Sequence, residues 1–290
     1  MQLPPLEDLG NWLAERESEV PHLKPGNAKR LIWPSDMPRK APLSVVYVHG
    51  FSASPMEVEP VTSNLAAALR APFHATRLTG HGQDGAALAA ATFQDWRSDV
   101  TEALAIGRAI GERVLVIGCS TGCTLLTLAM ADGAKVAGAI MLSPNFGLRS
   151  AAGERLLNAP FSRYWAPFVA GRERSFESHS PLHDARWTLR YPTTALYPVA
   201  HAMRAVRGKD LSGIKAPTLF VMNEGDGTIS PDAARAVMAR WGRPVTAHYV
   251  TMGPDEDPEA HVLAGDAVWA GQNDATLSLL SDWIKTARIA

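Results

Sequence analysis

Cysteine is nearly absent from this chain. Only Cys119 and Cys123 occur among its 290 residues. At one helical turn apart, both thiols are expected to point along one helix rather than toward each other in disulfide geometry, so both are read as small buried core residues without a redox or metal role. Charge of one sign is also missing: 28 Lys plus Arg balance 29 Asp plus Glu, for a net charge of -1, and no overall field draws the chain to nucleic acid or anionic lipid. No apolar run approaches the roughly 18 residues of a membrane span, so no integral membrane segment is expected. Met1 to Leu9 lacks a basic start followed by an apolar stretch, so no secretory leader is read there and the expected compartment is the cytoplasm. Repeats and low-complexity tracts are absent. What remains is 46% hydrophobic and 20% charged residues, enough for a large core in one enlarged domain.

Short apolar runs alternate with stretches of helical period. Residues 43–48 precede 58–69, residues 73–78 precede 93–110, and residues 114–117 precede 121–130. Such alternation predicts parallel β-α units. The pattern continues at 136–142, breaks for about sixty residues, and returns at 217–222, 233–241, 245–251 and 276–289. The expected division is an N-terminal extension at 1–42 packed on the core, a core at 43–148 and 210–290, and a helical cap at 149–209. Residues 1–42 read as Pro-rich and irregular, with a weak amphipathic patch around Leu9 to Val20. The cap holds Phe161, Tyr164, Trp165, Phe168, Phe176, Trp187, Tyr191 and Tyr197, with ten basic residues against four acidic ones. Its charge reads as a solvated face with Arg stems over apolar surface; its aromatics suit either cap core or a pocket for an apolar acyl group.

Gly118-Cys119-Ser120-Thr121-Gly122 joins the run Val114 to Ile117 to a helical stretch. A Gly-x-Ser-x-Gly sequence between strand and helix is the setting of a nucleophile elbow, in which the serine hydroxyl stands clear at the helix start. A serine needs a base to remove its proton, and the base needs a carboxylate to fix its tautomer. On such sheets the acid and then the histidine follow in chain order at the carboxyl ends of strands. After 217–222, Asp226 lies in a Gly-flanked turn and is the candidate acid, with Glu224 as substitute and a purely local turn role as the alternative. After 245–251, His261 is the candidate base. Of the nine histidines, His22, His74 and His248 fall in the extension or along strands, and His179, His183 and His201 fall in the cap. The acidic run Asp255 to Glu259 reads as a solvated loop that somewhat favours a protonated imidazole. Backbone N–H groups of Thr121 and, after Gly50, of Phe51 are the candidate oxyanion donors; His49 reads as structural.

Together these residues resemble the α/β-hydrolase superfamily, and most closely its bacterial carboxylesterases and monoacylglycerol lipases, often filed with serine aminopeptidase-like hydrolases. The resemblance runs from about Leu43 to Ile284. It rests on the elbow, His49-Gly50-Phe51, Thr79-Gly80-His81-Gly82, Phe93-Gln94-Asp95-Trp96, Gly225-Asp226 with Ile229-Ser230-Pro231, and His261-Val262-Leu263. It implies an eight-stranded, mostly parallel sheet flanked by helices, a small cap between strands 6 and 7, and no cofactor or metal. It also implies a Ser120, Asp226 and His261 triad with Phe51 and Thr121 as oxyanion donors, and His81 as a structural or pocket-wall residue. The chain departs from that group in its Cys-Ser-Thr elbow and in lacking a clear counterpart of the first two strands. The expected activity is hydrolysis of a small-molecule carboxylic ester, of short or medium acyl chain or like a monoacylglycerol, through an acyl-enzyme. An amidase or peptidase, a thioesterase and a carbon-carbon bond hydrolase remain open on the same residues, as does a catalytically silent ligand-binding protein. Homodimer formation is also left open.

Overall fold

Glycine-bounded apolar runs and amphipathic helices build a doubly wound sheet in the computed structural model, which describes residues 2–35, 38–252 and 257–290. In chain order the strands are β1 (Arg30–Ile32), β2 (Ala41–Val48), β3 (Phe73–Thr76), β4 (Gly111–Cys119), β5 (Gly138–Leu142), β6 (Glu173–Ser175), β7 (Arg190–Pro192), β8 (Thr218–Met222) and β9 (Thr246–Tyr249). Seven of them form one sheet in the order β1-β3-β2-β4-β5-β8-β9. Within it β1 is antiparallel to β3, and the other pairings are parallel. The helices are α1 (Leu9–Ser18), α2 (Val61–Ala68), α3 (Gly85–Ala90), α4 (Phe93–Ile110), α5 (Thr121–Ala131), α6 (Ala151–Asn158), α7 (Ser162–Ala170), α8 (Pro181–Arg186), α9 (Tyr197–Gly208), α10 (Pro231–Met238) and α11 (Asn273–Thr286).

Alternation along the strands sends side chains to two buried layers. Val46 and Val48 of β2 pack with α4, α5 and α9, through Trp96, Val100, Leu126, Met203 and Val206. Val45 and Tyr47 point the other way, toward Val61 and Leu65 of α2 and Leu280 and Ile284 of α11. A sheet covered on both faces in this way explains why its central strands read as continuous apolar runs. Helix α4 is fixed at its start by a capping box, in which Thr92 accepts from the Asp95 N–H and the Asp95 side chain accepts from the Thr92 N–H.

The expected eighth strand is not found: among the described residues the sheet has seven. Ahead of β2 the chain contributes only the three-residue β1, because much of that segment forms α1. Its Leu9 and Leu13, four residues apart on one helix face, are buried against Ile106 and Ile110 of α4. The insertion therefore lies between the fifth and sixth strands of this sheet rather than between the sixth and seventh. That insertion holds α6 to α9 and also the antiparallel pair β6 and β7, which helical periodicity did not anticipate. Several of its aromatics lie outside any core: Phe161, Tyr164, Phe168 and Phe176 are exposed, whereas Trp187 and Tyr191 are buried. Arg163 lies over the Tyr164 ring and Arg172 over Phe168. The two cysteines are free and buried but do not share a helix: Cys119 ends β4 and faces one layer, and Cys123 lies in α5 and faces the other. Among the described residues no helix is long and apolar enough to cross a membrane.

A buried ion pair ties α1 to the sheet. Arg77, just after β3, donates to Glu17 through Nε at 2.7 Å and Nη2 at 2.9 Å, and Glu17 also accepts from the Lys29 N–H at 2.8 Å. Both side chains are almost wholly buried. Glu17→Ala leaves the guanidinium buried without a counter-charge, its remaining hydrogen bond being to the His81 carbonyl, and is expected to cost about 3 kcal/mol or more in urea denaturation. Arg97→Ala, which breaks a more exposed pair with Asp132, is expected to cost less than about 1 kcal/mol. Equal effects would show that the N-terminal helix is not anchored by this pair.

Candidate active site

Parallel register brings the carboxyl ends of β2, β4, β5, β8 and β9 to one rim of the sheet. Val48 of β2 is level with Gly118, Cys119 with Leu142, Leu142 with Val221, and Met222 with Tyr249. Ser120 links β4 directly to α5 with φ 49° and ψ -113°, a left-handed backbone that a residue with a side chain rarely holds unless its surroundings impose it. The surroundings here are hydrogen bonds and close packing. The Ser120 N–H donates to Leu142 O at 2.9 Å, and its carbonyl accepts from Cys123 N at 3.0 Å and Asn145 N at 3.2 Å. A Cβ at Gly122 would lie 2.1 Å from Val48 O, and one at Gly50 would lie 3.1 Å from the Ser120 Cβ. Gly122 is thus required by the approach of β2 to the turn, and Gly118 by the approach of α5, where a Cβ would lie 2.8 Å from Cys123 N.

Asp226 follows β8 in a turn set by Asn223, whose Oδ1 accepts from the Gly225 N–H at 2.8 Å. The Asp226 carboxylate is buried and uses both oxygens. Oδ1 accepts from Thr228 N at 2.8 Å and Ile229 N at 2.9 Å, and Oδ2 lies 2.7 Å from His261 Nδ1. The local turn role and the contact with the candidate base therefore coexist. Glu224, the substitute, instead pairs with Arg235 in an exposed position. Because Oδ2 only accepts, Nδ1 carries the proton and the lone pair of the neutral ring is on Nε2.

His261 is held at its main chain as well. Its N–H donates to Asp257 Oδ2 at 2.9 Å, and its carbonyl accepts from the Ser143 hydroxyl at the end of β5. Asp257 is buried and also accepts from Glu259 N and Val262 N, which corrects the solvated-loop reading at this residue, whereas Pro258 and Glu259 are exposed; Asp255 and Glu256 lie outside the described residues. Burial by itself would lower the proton affinity of His261. The Asp226 carboxylate, by charge and hydrogen bond, with Glu57 and Asp257 behind it, outweighs that effect and holds the imidazole above its ordinary value.

The site brings Asp226 and His261 into contact, with no hydrogen bond between Ser120 and the ring. Among the described residues the Ser120 hydroxyl and His261 Nε2 have no hydrogen-bond partner. In free hydrolases this bond is often long and tightens only with substrate bound. Phe51 N and Thr121 N likewise have no acceptor among the described residues, whereas the neighbouring Gly50 N–H is taken by Glu57 Oε2 at 2.7 Å. His49 is a brace: Nε2 accepts from Leu78 N at 3.0 Å and Nδ1 faces Gly50 O at 2.8 Å. Burial pushes it down to about 3, so it stays neutral. His81 is also buried and held well below its ordinary value, first by burial, and packs edge-on against Trp96 and Phe51.

Three residues at this rim escaped sequence reasoning: Ser143, Asp257 and Glu57. For Asp257, the signal was an Asp-Pro step four residues before His261, which suits a side chain that caps its own turn. For Glu57, it was an acid just ahead of the apolar Val58, Val61 and Leu65. Asp226→Asn is expected to lower the pH at which the His261 imidazolium loses its proton, read from the ring resonances in an NMR titration. Because the folded value of His261 is raised, the stabilisation from its pairing with Asp226 is complete in acid, below the unfolded value, and fades as the pH rises through the folded one. The stability gap between wild type and variant should therefore narrow across that window, and an unmoved histidine titration would sink the assignment.

A family model described as the alpha/beta hydrolase family matches residues 45–266. No curated protein sequence matches the chain. Among solved structures it is similar to one described for LipS and LipT, two metagenome-derived lipolytic enzymes, at 18% identity and a TM-score of 0.73, covering 91% of this chain and 99% of that one. It is also similar to the monoacylglycerol lipase of Paleococcus ferrophilus, at 14% identity and a TM-score of 0.61, covering 89% and 98% of the two chains. A third is Est1E from Butyrivibrio proteoclasticus with ferulic acid bound, at 17% identity and a TM-score of 0.61, covering 90% and 95%. With a family match over more than half of its length, on a sheet of this topology, the chain belongs to the alpha/beta hydrolase family.

Proposed function

We infer that the chain is a serine hydrolase of carboxylic esters acting through an acyl-enzyme, on a small-molecule ester of short or medium acyl chain or like a monoacylglycerol. The observation that carries this reading is the 2.7 Å contact between His261 Nδ1 and Asp226 Oδ2 at the rim where Ser120 holds a left-handed turn. In the proposed cycle His261 Nε2 takes the Ser120 proton as Oγ attacks the acyl carbon. The N–H groups of Phe51 and Thr121 stabilise the oxyanion, and the imidazolium returns the proton to the departing alkoxide, releasing alcohol. Water then gives a proton to Nε2 and its oxygen to the acyl carbon; the proton passes to Ser120 and the carboxylic acid leaves. The cycle closes with protein groups alone. Residues 149–209 serve as a cap over a core formed by 43–148 and 210–290, with 1–42 as an extension.

Support for esters over other acyl compounds comes from the proteins whose structures this chain is similar to, which include lipolytic enzymes and a monoacylglycerol lipase. Ser120→Ala is expected to lower p-nitrophenyl ester turnover by about 10^4-fold or more while leaving the urea midpoint within error, and to abolish labelling by a fluorophosphonate. Retained turnover or labelling would reject Ser120 as nucleophile. In a panel of p-nitrophenyl esters of rising length with a monoacylglycerol, a thioester and an amide, the esters are expected to turn over fastest; fastest cleavage of the amide would make the protein an amidase.

A further inference from the structure

Four glutamates are buried among the described residues: Glu17, Glu57, Glu59 and Glu102. Three have cationic partners, Arg77 for Glu17, Arg30 for Glu59, and Lys29 with Arg16 for Glu102. Glu57 has none, although only 2% of its surface is exposed. A buried carboxylate without a cation is costly, and the groups around it show how it is accommodated. Oε2 accepts from the Tyr47 hydroxyl of β2 and from the Gly50 N–H, each at 2.7 Å. A Cβ on Gly50 would lie 2.7 Å from Glu57 Oε1 and 3.1 Å from the Ser120 Cβ, which puts the carboxylate beside the Ser120 side chain. His261 is a titratable group whose charge acts on it.

We propose that Glu57 is a positioning residue of the hydrolase site, holding the Gly50-Phe51 loop through the Gly50 N–H and supplying the counter-charge to the His261 imidazolium that forms during turnover. The inference rests on the serine hydrolase reading above. Two features support it. By occupying the Gly50 N–H, the carboxylate leaves the adjacent Phe51 N–H as the free donor of this loop. By lying buried and unpaired, it places a negative charge where a cation exists only while His261 is protonated, so its attraction grows as the proton leaves Ser120. Burial pushes the Glu57 carboxyl up, opposed by the two hydrogen bonds and by His261; Glu57 in turn helps to raise His261. Asp226 fixes the tautomer of the ring, and Glu57 adds charge without touching Nδ1.

Glu57→Gln keeps the size and an acceptor oxygen for Tyr47 and Gly50 but removes the charge. The acid limb of kcat/KM for a p-nitrophenyl ester, set by His261 losing its proton, is expected to move down by about half a pH unit or more. The plateau kcat is expected to fall roughly tenfold with KM changed less than about twofold. Glu57→Asp, which restores the charge, should return the limb toward its wild-type position. A lesion of packing alone lowers the plateau without moving the limb, and that result would overturn the proposal. Should Glu57→Gln not fold, Tyr47→Phe replaces it: losing the phenol hydrogen bond makes Glu57 easier to protonate, so less negative charge acts on His261 and the limb should again move down, and an unmoved limb would count equally against the proposal. Ser120→Ala separates the two readings. If that variant is inactive while the Glu57 and Tyr47 variants leave the pH profile unmoved, the hydrolase reading stands and Glu57 has no part in it.

Discussion

The backbone of Ser120 is the constraint on which the site depends. A left-handed φ at a residue with a Cβ costs on the order of 1–3 kcal/mol, and here three strands impose it. β2 presses Val48 O against Gly122, β4 delivers the chain, and β5 takes the Ser120 N–H through Leu142 O and returns the Asn145 N–H to the Ser120 carbonyl. The parallel register that makes these contacts also sets the end of β2 within two residues of the end of β8, and so fixes where the loops holding Phe51 and Asp226 begin. Because α5 starts at Thr121, the first free N–H groups and the positive end of the helix dipole lie beside the serine. One strained turn therefore sets both the proposed nucleophile and half of the proposed oxyanion site.

Two aspartates then divide the holding of His261 between ring and main chain. Asp226 takes Nδ1, and Asp257 takes the backbone N–H, while Ser143 secures the carbonyl from the adjacent strand. Gly227 N donates to Glu259 O at 2.7 Å, so the acid-bearing and base-bearing loops are also joined directly. A histidine held at ring Nδ1 and at its main chain has little rotamer freedom left to lose when a substrate binds, which is how preorganised sites reduce the entropic part of a barrier.

Chain order and local chemistry made much of this rim legible before any coordinates. The elbow is a contiguous signal whose glycines answer to steric demands that the pentapeptide itself reveals. Asp226 and His261 were found because each follows a strand in the expected order. What could not be read are contacts that depend on the third dimension: Glu57 meets Tyr47 and Gly50 only because β2 and its following loop fold back on each other. The extension misled for a different reason. Leu9 and Leu13 are the only apolar residues of α1 that become buried, too short a stripe to declare a helix, and the anchoring pair of Glu17 with Arg77 joins residues sixty positions apart. β9 was placed correctly but overextended, since all four of its residues are exposed and nothing in their pattern marks an end.

The segment between β5 and β8 is joined to the proposed oxyanion loop itself. Thr188 N donates to Ser52 O at 2.7 Å, and the Phe51 ring meets Tyr191 of β7 edge-on at 5.1 Å between centroids. On its other sides the same ring contacts His81 and Trp96. Phe51 is thus held at its ring by the insertion and by α4, and at the peptide before it by Glu57 through Gly50. The insertion therefore packs directly on the side chain of the residue whose N–H is the proposed oxyanion donor. The exposed aromatics of α7 have no such link, because Phe161, Tyr164 and Phe168 point to solvent. Within the insertion, it is the buried Thr188 and Tyr191, rather than the more numerous aromatics, that contact the proposed oxyanion loop.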